Sequence, residues 1–354
     1  MGKPKVLVVP HTRKLARLFA PADWERLHGL ADVVWGRDEP MPLDDFQAAL
    51  PEVTAIVHGL WTYGGAETLS RAPRLRAVIE LMGAHGHPGF DYEYCFDQRI
   101  RVLSCSPAFA PQVAEMALGL ALAGARDIAL GDRLFHAGQE QYSSAGNVGT
   151  FLLGGQTVGL VGYGAIAREV RRLMEPFKCR WLAYDPWLPA SRLRADGVEP
   201  AALDELLAAA RVIFVLAIPT ADNRALLDRA RLERIAPGSL LVLLSRAHLV
   251  DFDALTDLVE RGRFKAAIDV FPFEPLPADH PIRQADGAVL SAHRAGSTAA
   301  GLQLIGRMVV DDLEAILAGQ PPYSLLAAQP EWMERLDASG QRVSASYQRA
   351  AGAR

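Results

Sequence analysis

The chain has 354 residues, of which 50% are hydrophobic and 22% are charged, and its formal net charge is −4. This length and composition are typical of a globular protein with two domains, and they exclude a disordered or fibrous chain. The chain lacks the excess of basic residues that binds a phosphate backbone, and no run of residues approaches the roughly 18 apolar residues of a membrane span. Neither nucleic acid nor a membrane is therefore an expected partner.

The cysteines and the N-terminus predict the compartment. Cys95, Cys105 and Cys179 form no Cys-x-x-Cys pair and lie in no cluster with metal-ligand spacing. We therefore expect reduced thiols and no bound metal. The first residues lead directly into a strand-like run, without the apolar region of a secretory signal, which predicts a cytoplasmic protein.

The first hundred residues alternate between strand-like and helix-like segments. Helix-like segments at 43–50 and 66–71 separate short apolar runs, which are KVLVVP, ADVVWG, TAIVHG, LRAVIEL and IRVLSC. This alternation predicts a parallel sheet with helices on both faces. The prolines at 107 and 111 are expected to interrupt the chain, with a long apolar helix following over about 112–124.

A glycine motif follows the connection at 139–155. An apolar strand runs into Gly162-x-Gly164-x-x-Ala167, and a predicted helix at 165–176 and a strand at 180–184 lead to Asp185. This order is typical of a dinucleotide site, in which backbone N–H groups and the start of the helix face the pyrophosphate. We predict that Gly162, Gly164, Ala165, Ile166 and Asp185 bind the cofactor. A carboxylate at 185 would accept hydrogen bonds from ribose hydroxyls and repel a 2′-phosphate, which favours NAD over NADP.

A second series of buried strands follows Asp185, at 212–218, 240–244, 266–271 and 288–292. A helix is predicted at 299–318, and the chain beyond about 325 has the composition of a surface extension. The sequence therefore predicts an α/β protein with two Rossmann-like, doubly wound parallel-sheet domains and an active-site cleft between them.

Three polar side chains follow successive strands of the second series. Arg246, Glu274 and His293 each come just after an apolar run, and the carboxyl ends of parallel strands are where such sheets bind ligands. A guanidinium suits the carboxylate and carbonyl of a 2-keto acid, and an imidazole can donate the proton that an alkoxide takes up. Glu274 would fix the tautomer of His293 and stabilise its protonated form.

These residues carry a family resemblance. The segments SRAHLVDFDAL at 245–255, AAIDVFPFEPLP at 266–277 and LSAHRAGST at 290–298 resemble the D-isomer-specific 2-hydroxyacid dehydrogenases, and the match covers most of 75–318. The resemblance implies that Arg246, Glu274 and His293 are the catalytic arginine, glutamate and histidine. It also implies an NAD cofactor, with Asp269 near the nicotinamide carboxamide. Further cofactor-binding residues are expected at Thr220, Ser245 and Gly296.

The resemblance also predicts the domain boundaries. It implies a substrate domain of 1–106 plus 300–330, with an NAD domain of 107–299 inserted, and it leaves 331–354 as a C-terminal extension. It places a substrate loop at 83–89 and predicts a homodimer formed through the NAD domain.

The sequence departs from the family pattern at several positions. Leu243 stands where the family has Asn, and Ala247 stands where it has Gly, so the loop at Arg246 is expected to sit differently. Arg294 adds a cation beside His293, which would recognise a second acidic group on the substrate. In the substrate loop, His85 and His87 replace small residues.

Several assignments keep a structural alternative. His85, Gly86 and His87 are interpreted either as substrate-facing or as a solvated loop, and Trp61 either lines the pocket or covers the domain edge. Glu115, on an apolar helix, is expected to be a buried structural acid. The leading hypothesis is an NAD-dependent enzyme that interconverts a 2-keto acid and a D-2-hydroxy acid. The alternatives are a phosphite-type dehydrogenase of the same family and a non-catalytic protein that senses NADH.

Overall fold

A computed structural model of the chain describes residues 2–83 and 85–336. The chain divides into two compact units, of which the first comprises 1–110 and 296–354 and the second comprises 111–295. The predicted domain boundaries lie at 106/107 and 299/300. The chain passes from one unit to the other at 110/111 and 295/296, within a few residues of these positions. Residues 337–354 of the predicted extension lie outside the described residues.

The strands, in chain order, are β1 Lys5–Val9, β2 Asp32–Trp35, β3 Val53–His58, β4 Ala77–Glu80, β5 Arg101–Ser104, β6 Thr157–Val161, β7 Arg180–Tyr184, β8 Glu199–Pro200, β9 Val212–Val215, β10 Leu240–Leu243, β11 Lys265–Ile268, β12 Ala288–Leu290 and β13 Leu326–Ala327. The helices are α1 Leu15–Leu18, α2 Pro21–Leu30, α3 Leu43–Ala49, α4 Ala66–Leu69, α5 Tyr92–Asp97, α6 Ser106–Ala125, α7 Ile128–His136, α8 Ala165–Leu173, α9 Ala190–Ala195, α10 Leu203–Ala209, α11 Arg229–Leu232, α12 Phe252–Glu260, α13 Ala299–Leu317 and α14 Pro330–Met333.

The sheet of the first unit has the strand order β13-β5-β4-β3-β1-β2. All neighbouring strands pair in parallel except β13, which pairs antiparallel with β5. Hydrophobic cores lie on both faces of this sheet. Alternate residues of β1 pack in different cores, because successive side chains of a strand point to opposite faces. Val6 and Val8 pack in the core that includes α13, whereas Leu7 and Val9 pack with Phe46 of α3. The sheet is therefore covered on both faces.

The second unit contains a parallel sheet in the order β12-β11-β10-β9-β6-β7-β8. The chain starts at β6, moves outward through β7 and β8, and returns to β9 on the other side of β6. The order therefore reverses between β6 and β9, and open α/β sheets bind ligands at such a switch point. The prediction of two doubly wound α/β domains is confirmed, while the cleft between them stays a prediction.

The helix around Pro111 differs from its prediction. The interruption expected at 107–111 is absent, because α6 begins at Ser106 and continues through Pro111 to Ala125. Pro107 lies in the first helical turn, where a backbone N–H has no partner within the helix. By length and composition alone α6 could cross a membrane, contrary to the expectation that no segment would qualify, but 56% of its most apolar window is buried inside the protein. That burial is typical of a core helix. Glu115 of α6 is exposed, however, so the expectation of a buried acid there is wrong.

Candidate active site

The turn between β6 and α8 requires its first glycine. Gly162 has a φ of +92°, and a Cβ placed on it would lie 2.5 Å from the backbone nitrogen of Ala217. Both the backbone conformation and the close approach exclude a side chain there. The third position of the motif is Ala167, which lies in the first turn of α8 and is fully buried. The sequence motif therefore forms the tight strand-to-helix turn that it predicts.

Gly164 differs from Gly162 because nothing in its own unit requires a glycine. A Cβ built on Gly164 would have no heavy atom of the described residues within 4 Å, and the φ of Gly164 is −83°. The residue precedes Ala165 and Ile166, the first two residues of the nine-residue helix α8. The turn thus leaves open space in front of a helix N-terminus, whose free N–H groups favour an anion. That space fits the pyrophosphate of a dinucleotide.

Asp185 connects the end of β7 with the glycine turn. Its Oδ2 accepts a hydrogen bond from the backbone nitrogen of Tyr163 at 2.7 Å, and its Oδ1 accepts one from that of Trp187 at 2.9 Å. Each carboxylate oxygen keeps further acceptor capacity. A pocket of about 260 Å³ opens beside this carboxylate, lined by residues that include Tyr184, Pro186 and Leu193. The acid predicted from the sequence therefore lies at the ligand-binding edge of the sheet.

Two polar residues that follow β9 and β10 also fit a bound cofactor. Ser245 has a buried Oγ without a hydrogen-bond partner among the described residues. Buried hydroxyls are nearly always paired in native proteins, so a ligand is a natural partner for this one. Thr220 is buried and caps the 3-10 helix Ala221–Asn223. The third predicted residue, Gly296, is the first residue after the second unit.

His293 and Glu274 form a hydrogen-bonded pair in the second unit. The Nδ1 atom of His293 lies 2.8 Å from Oε2 of Glu274 and 3.0 Å from Oε1. Burial raises the pKa of Glu274, but the hydrogen bond and charge of His293 outweigh it and hold this pKa below its usual value. The carboxylate is thus ionised at neutral pH, and it orients the ring so that Nε2 is the nitrogen left for another partner.

A buried aspartate holds the backbone around His293. Asp269 is 1% exposed, and its two carboxylate oxygens accept hydrogen bonds from the backbone nitrogens of Arg294 at 2.9 Å and Ala295 at 3.1 Å. The backbone nitrogen of His293 donates to the carbonyl of Asp269 at 2.8 Å. These bonds fix His293 at a φ of +51°, a left-handed conformation that is uncommon outside glycine and that clusters at functional sites.

Arg246 follows β10 at the same edge of the sheet. Its Nη1 donates to the carbonyl of Ser245 at 2.7 Å. Desolvation lowers the pKa of Arg246, and the negative charge of Glu274 opposes that effect. The guanidinium remains charged, because an arginine loses its proton only far above neutral pH. The departures at Leu243 and Ala247 are both buried hydrophobic positions, which explains why apolar residues are accepted there.

The remaining predicted substrate residues in the first unit are mostly buried. His85 is 5% exposed and pairs through Nδ1 with Glu80, and Trp61 is 4% exposed and donates through Nε1 to the carbonyl of Gly64 at 2.7 Å. The solvated interpretation of His85 is therefore wrong. The backbone nitrogens of Gly86 and His87 donate to the hydroxyl of Tyr92. The other predicted substrate residue, Arg294, belongs to the second unit, and it is exposed.

Sequence reasoning missed the cluster that holds the loop after β4. Glu80, the last residue of β4, is fully buried, and Tyr92 and His58 lie nearby in the first unit. The signal that could have found it was an acid at the end of an otherwise apolar strand, LRAVIEL.

Comparisons with known proteins identify the family of the chain. Residues 118–295 match the model of the NAD binding domain of the D-isomer specific 2-hydroxyacid dehydrogenases. A phosphoglycerate oxidoreductase from Rhizobium etli has a similar solved structure, with 34% identity, a TM-score of 0.81, and coverage of 92% of this chain and 99% of that one. The D-3-phosphoglycerate dehydrogenase of Mycobacterium leprae is 33% identical over 77% of this chain and 51% of its own length. A glyoxylate reductase from Pyrococcus furiosus is 27% identical over 83% and 88%.

The second unit is thus an NAD-binding Rossmann domain, and the chain belongs to the D-isomer specific 2-hydroxyacid dehydrogenase family. The chain spans only about half the length of the curated phosphoglycerate dehydrogenases that it matches, 51% of the Mycobacterium leprae protein and 58% of that of Mycobacterium bovis.

Proposed function

We propose that this protein is an NAD-dependent oxidoreductase that interconverts a 2-keto acid and a D-2-hydroxy acid. The observation that carries the proposal is the His293–Glu274 hydrogen bond of 2.8 Å at the carboxyl edge of a Rossmann sheet. A carboxylate on one ring nitrogen leaves the other nitrogen to exchange a proton with a substrate, which is the arrangement of a general acid and base. Bound NADH would supply the hydride.

His293 acts as the proton donor in keto acid reduction and as the base in alcohol oxidation. The substrate oxygen gains negative charge as its carbon becomes tetrahedral, and the Nε2–H of a protonated His293 delivers the proton to that oxygen. Glu274 stabilises the protonated ring through Nδ1, and Asp269 keeps the ring in place through the backbone of its loop. A site whose groups are already oriented gains rate because little reorganises during the reaction.

Arg246 binds the carboxylate of the substrate. A guanidinium offers two parallel N–H donors that match the two oxygens of a carboxylate, and one of them can also polarise the adjacent carbonyl. The partial desolvation that lowers the pKa of Arg246 strengthens such a charged hydrogen bond, because the local dielectric is lower than in water.

A substrate with a second acidic group suits this site better than a small, singly charged one. Arg294 directly follows His293 and is exposed. Its side chain makes no hydrogen bond or ion pair with the described residues, so its charge is available to an anion. An exposed guanidinium attracts carboxylates and phosphates alike. His87 and Trp61 of the first unit remain predicted substrate residues.

We expect a cytoplasmic homodimer. Large apolar side chains are exposed on α7 and on the connection that follows it, including Ile128, Phe135, Tyr142, Val148 and Leu152. Such a concentration of exposed apolar surface in a soluble protein usually marks an interface. The cysteines at 95, 105 and 179 are free thiols, as a reducing compartment favours.

The proposal is tested by following nicotinamide absorbance with NADH or NADPH and a panel of 2-keto acids, from glyoxylate to phosphorylated and dicarboxylic ones. We expect oxidation of NADH in preference to NADPH, and the highest kcat/KM with a keto acid that carries a second acidic group. His293→Ala should abolish turnover and leave NADH binding intact. Tight NADH binding without turnover on any acid would contradict the proposal and favour a sensor of NADH.

A further inference from the structure

A buried carboxylate lies at the carboxyl end of β4. Glu80 is 0% exposed, and its two oxygens have different partners. Oε2 lies 2.5 Å from Nδ1 of His85, and Oε1 accepts a hydrogen bond from the hydroxyl of Tyr92. An acid is rarely buried completely without strong partners, because removing an ionised carboxylate from water costs several kcal/mol. The hydrogen bonds from His85 and Tyr92 therefore stabilise the ionised carboxylate of Glu80 in its buried position.

Tyr92 extends the network to the backbone of the loop. Its hydroxyl donates to Glu80 and accepts from two consecutive backbone nitrogens, Gly86 at 2.7 Å and His87 at 3.0 Å. Residues 85–87 are therefore held at three successive positions, one by its imidazole and two by their N–H groups. A change at Tyr92 would release two of these positions together.

The surroundings keep the network charged and rigid. Burial raises the pKa of Glu80, but the hydrogen bond and charge of His85 lower it by more. Burial and Glu80 both raise the pKa of Tyr92, so the phenol keeps its proton and remains a donor. The ring of Tyr92 also packs edge-on against Phe90, at 4.7 Å between centroids.

The loop lies at the edge of the sheet that binds ligands. It follows β4 directly, and β4 is an inner strand of a sheet whose order reverses between β1 and β3. In such sheets the loops at the carboxyl ends of the strands carry the binding residues. Maintaining a buried charge beneath one of these loops is a cost to stability that a purely structural contact does not require.

We propose that Glu80 and Tyr92 are positioning residues that fix residues 85–87 for substrate binding. The inference rests on the proposed function, since it assigns these residues to the substrate of that reaction. Neither side chain needs to touch the substrate. Tyr92 acts through the two N–H groups it holds, and Glu80 acts through Tyr92 and His85.

The test compares Tyr92→Phe with Tyr94→Phe in the full-length protein. Tyr94 lies on the same helix, α5, and its hydroxyl has no hydrogen bond among the contacts that the structure describes. We expect Tyr92→Phe to raise KM for the 2-keto acid by about tenfold and to leave kcat within about twofold, because the loss falls on binding rather than on proton transfer. The dissociation constant of NADH should not change, and Tyr94→Phe should match the wild type throughout.

A second variant and a second readout separate positioning from mere stability. Glu80→Gln keeps the shape of the side chain but offers one carbonyl oxygen to two donors, the His85 ring and the Tyr92 hydroxyl. The KM of this variant for the 2-keto acid should therefore also rise. Hydrogen exchange at the amides of Gly86 and His87 should become faster in Tyr92→Phe. A lower melting temperature with an unchanged KM would overturn the inference. A wild-type protein without turnover would instead overturn the proposed function, and this inference with it.

Discussion

Replacing Glu274 by Gln tests whether the carboxylate of Glu274 stabilises the protonated ring of His293. The carboxylate oxygens lie 2.8 and 3.0 Å from Nδ1, and a hydrogen bond to a charged group contributes about 1.5 to 3 kcal/mol. Because 39% of the His293 side chain and 16% of the Glu274 side chain are exposed, solvent screening places the value in the lower half of that range. A loss of about 1.5 to 2 kcal/mol in the transition state lowers kcat/KM by about 10- to 30-fold.

The amide of the variant has a further effect. Oε1 of Glu274 also accepts a hydrogen bond from the backbone nitrogen of Phe271 at 3.2 Å. A glutamine has a single carbonyl oxygen, so if that oxygen keeps the bond to Phe271, the NH₂ group faces His293. Nδ1 then accepts a hydrogen bond and disfavours a proton of its own, so the doubly protonated ring that donates from Nε2 during keto acid reduction is destabilised. That rearrangement would deepen the loss beyond the electrostatic value.

The assay is steady-state NADH oxidation with the preferred keto acid, together with a measurement of NADH binding. Glu205→Gln is the matched control, since Glu205 is an exposed acid on α10 and belongs to no part of the site. NADH should bind to both variants as it does to the wild type. If Glu274→Gln kept its kcat/KM within about twofold while His293→Ala was inactive, the assistance attributed to Glu274 would be refuted.

Further variants test the glycine turn, the arginine after β10 and a buried histidine. Gly162→Ala should lower stability by about 2 to 3 kcal/mol through its positive φ and backbone clash, whereas Gly164→Ala should keep its melting temperature and lose NADH affinity in calorimetry. Arg246→Lys should raise KM at least about tenfold in turnover assays, because an ammonium lacks the planar pair of donors. Burial lowers the pKa of His58 to about 3, so the unfolded chain takes up a proton first and the folded state loses stability as pH falls from 6.5 towards 3. The free energy of unfolding of His58→Leu should therefore rise by about 2 kcal/mol relative to the wild type between pH 7 and pH 5, as measured by denaturant titration.

The parts of the fold that depend on local pattern could be predicted from the sequence. The strand at 180–184 was predicted with the bounds that β7 has, and the helix at 299–318 differs from α13 by one residue. Period and turn chemistry determine such elements. The order of the second sheet also follows from the glycine motif, because that motif opens a known strand arrangement.

The errors have a different physical origin. The two prolines suggested an interruption, but α6 continues through Pro111 because its apolar side chains are buried, and packing outweighs the loss of one backbone hydrogen bond. The helix α7 was missed as well, and none of its residues is buried within this chain. Tertiary contacts decide such segments, and a single sequence does not contain them.

The absence of tertiary contacts from a single sequence also explains why only part of the candidate site could be predicted. The residues at strand ends follow from topology, but the contacts that hold them do not. In the second unit Asp269 fixes the loop of His293, and in the first unit Glu80 fixes residues 85–87, each from the carboxyl end of an inner strand. Each acid is almost wholly buried. Both oxygens of Asp269 accept hydrogen bonds from its loop, whereas Glu80 bonds to its loop directly through His85 and indirectly through Tyr92 of α5. Loops carry binding groups but are mobile by default, so a buried, charged acceptor beneath the loop is a physical means of orienting those groups before the substrate arrives.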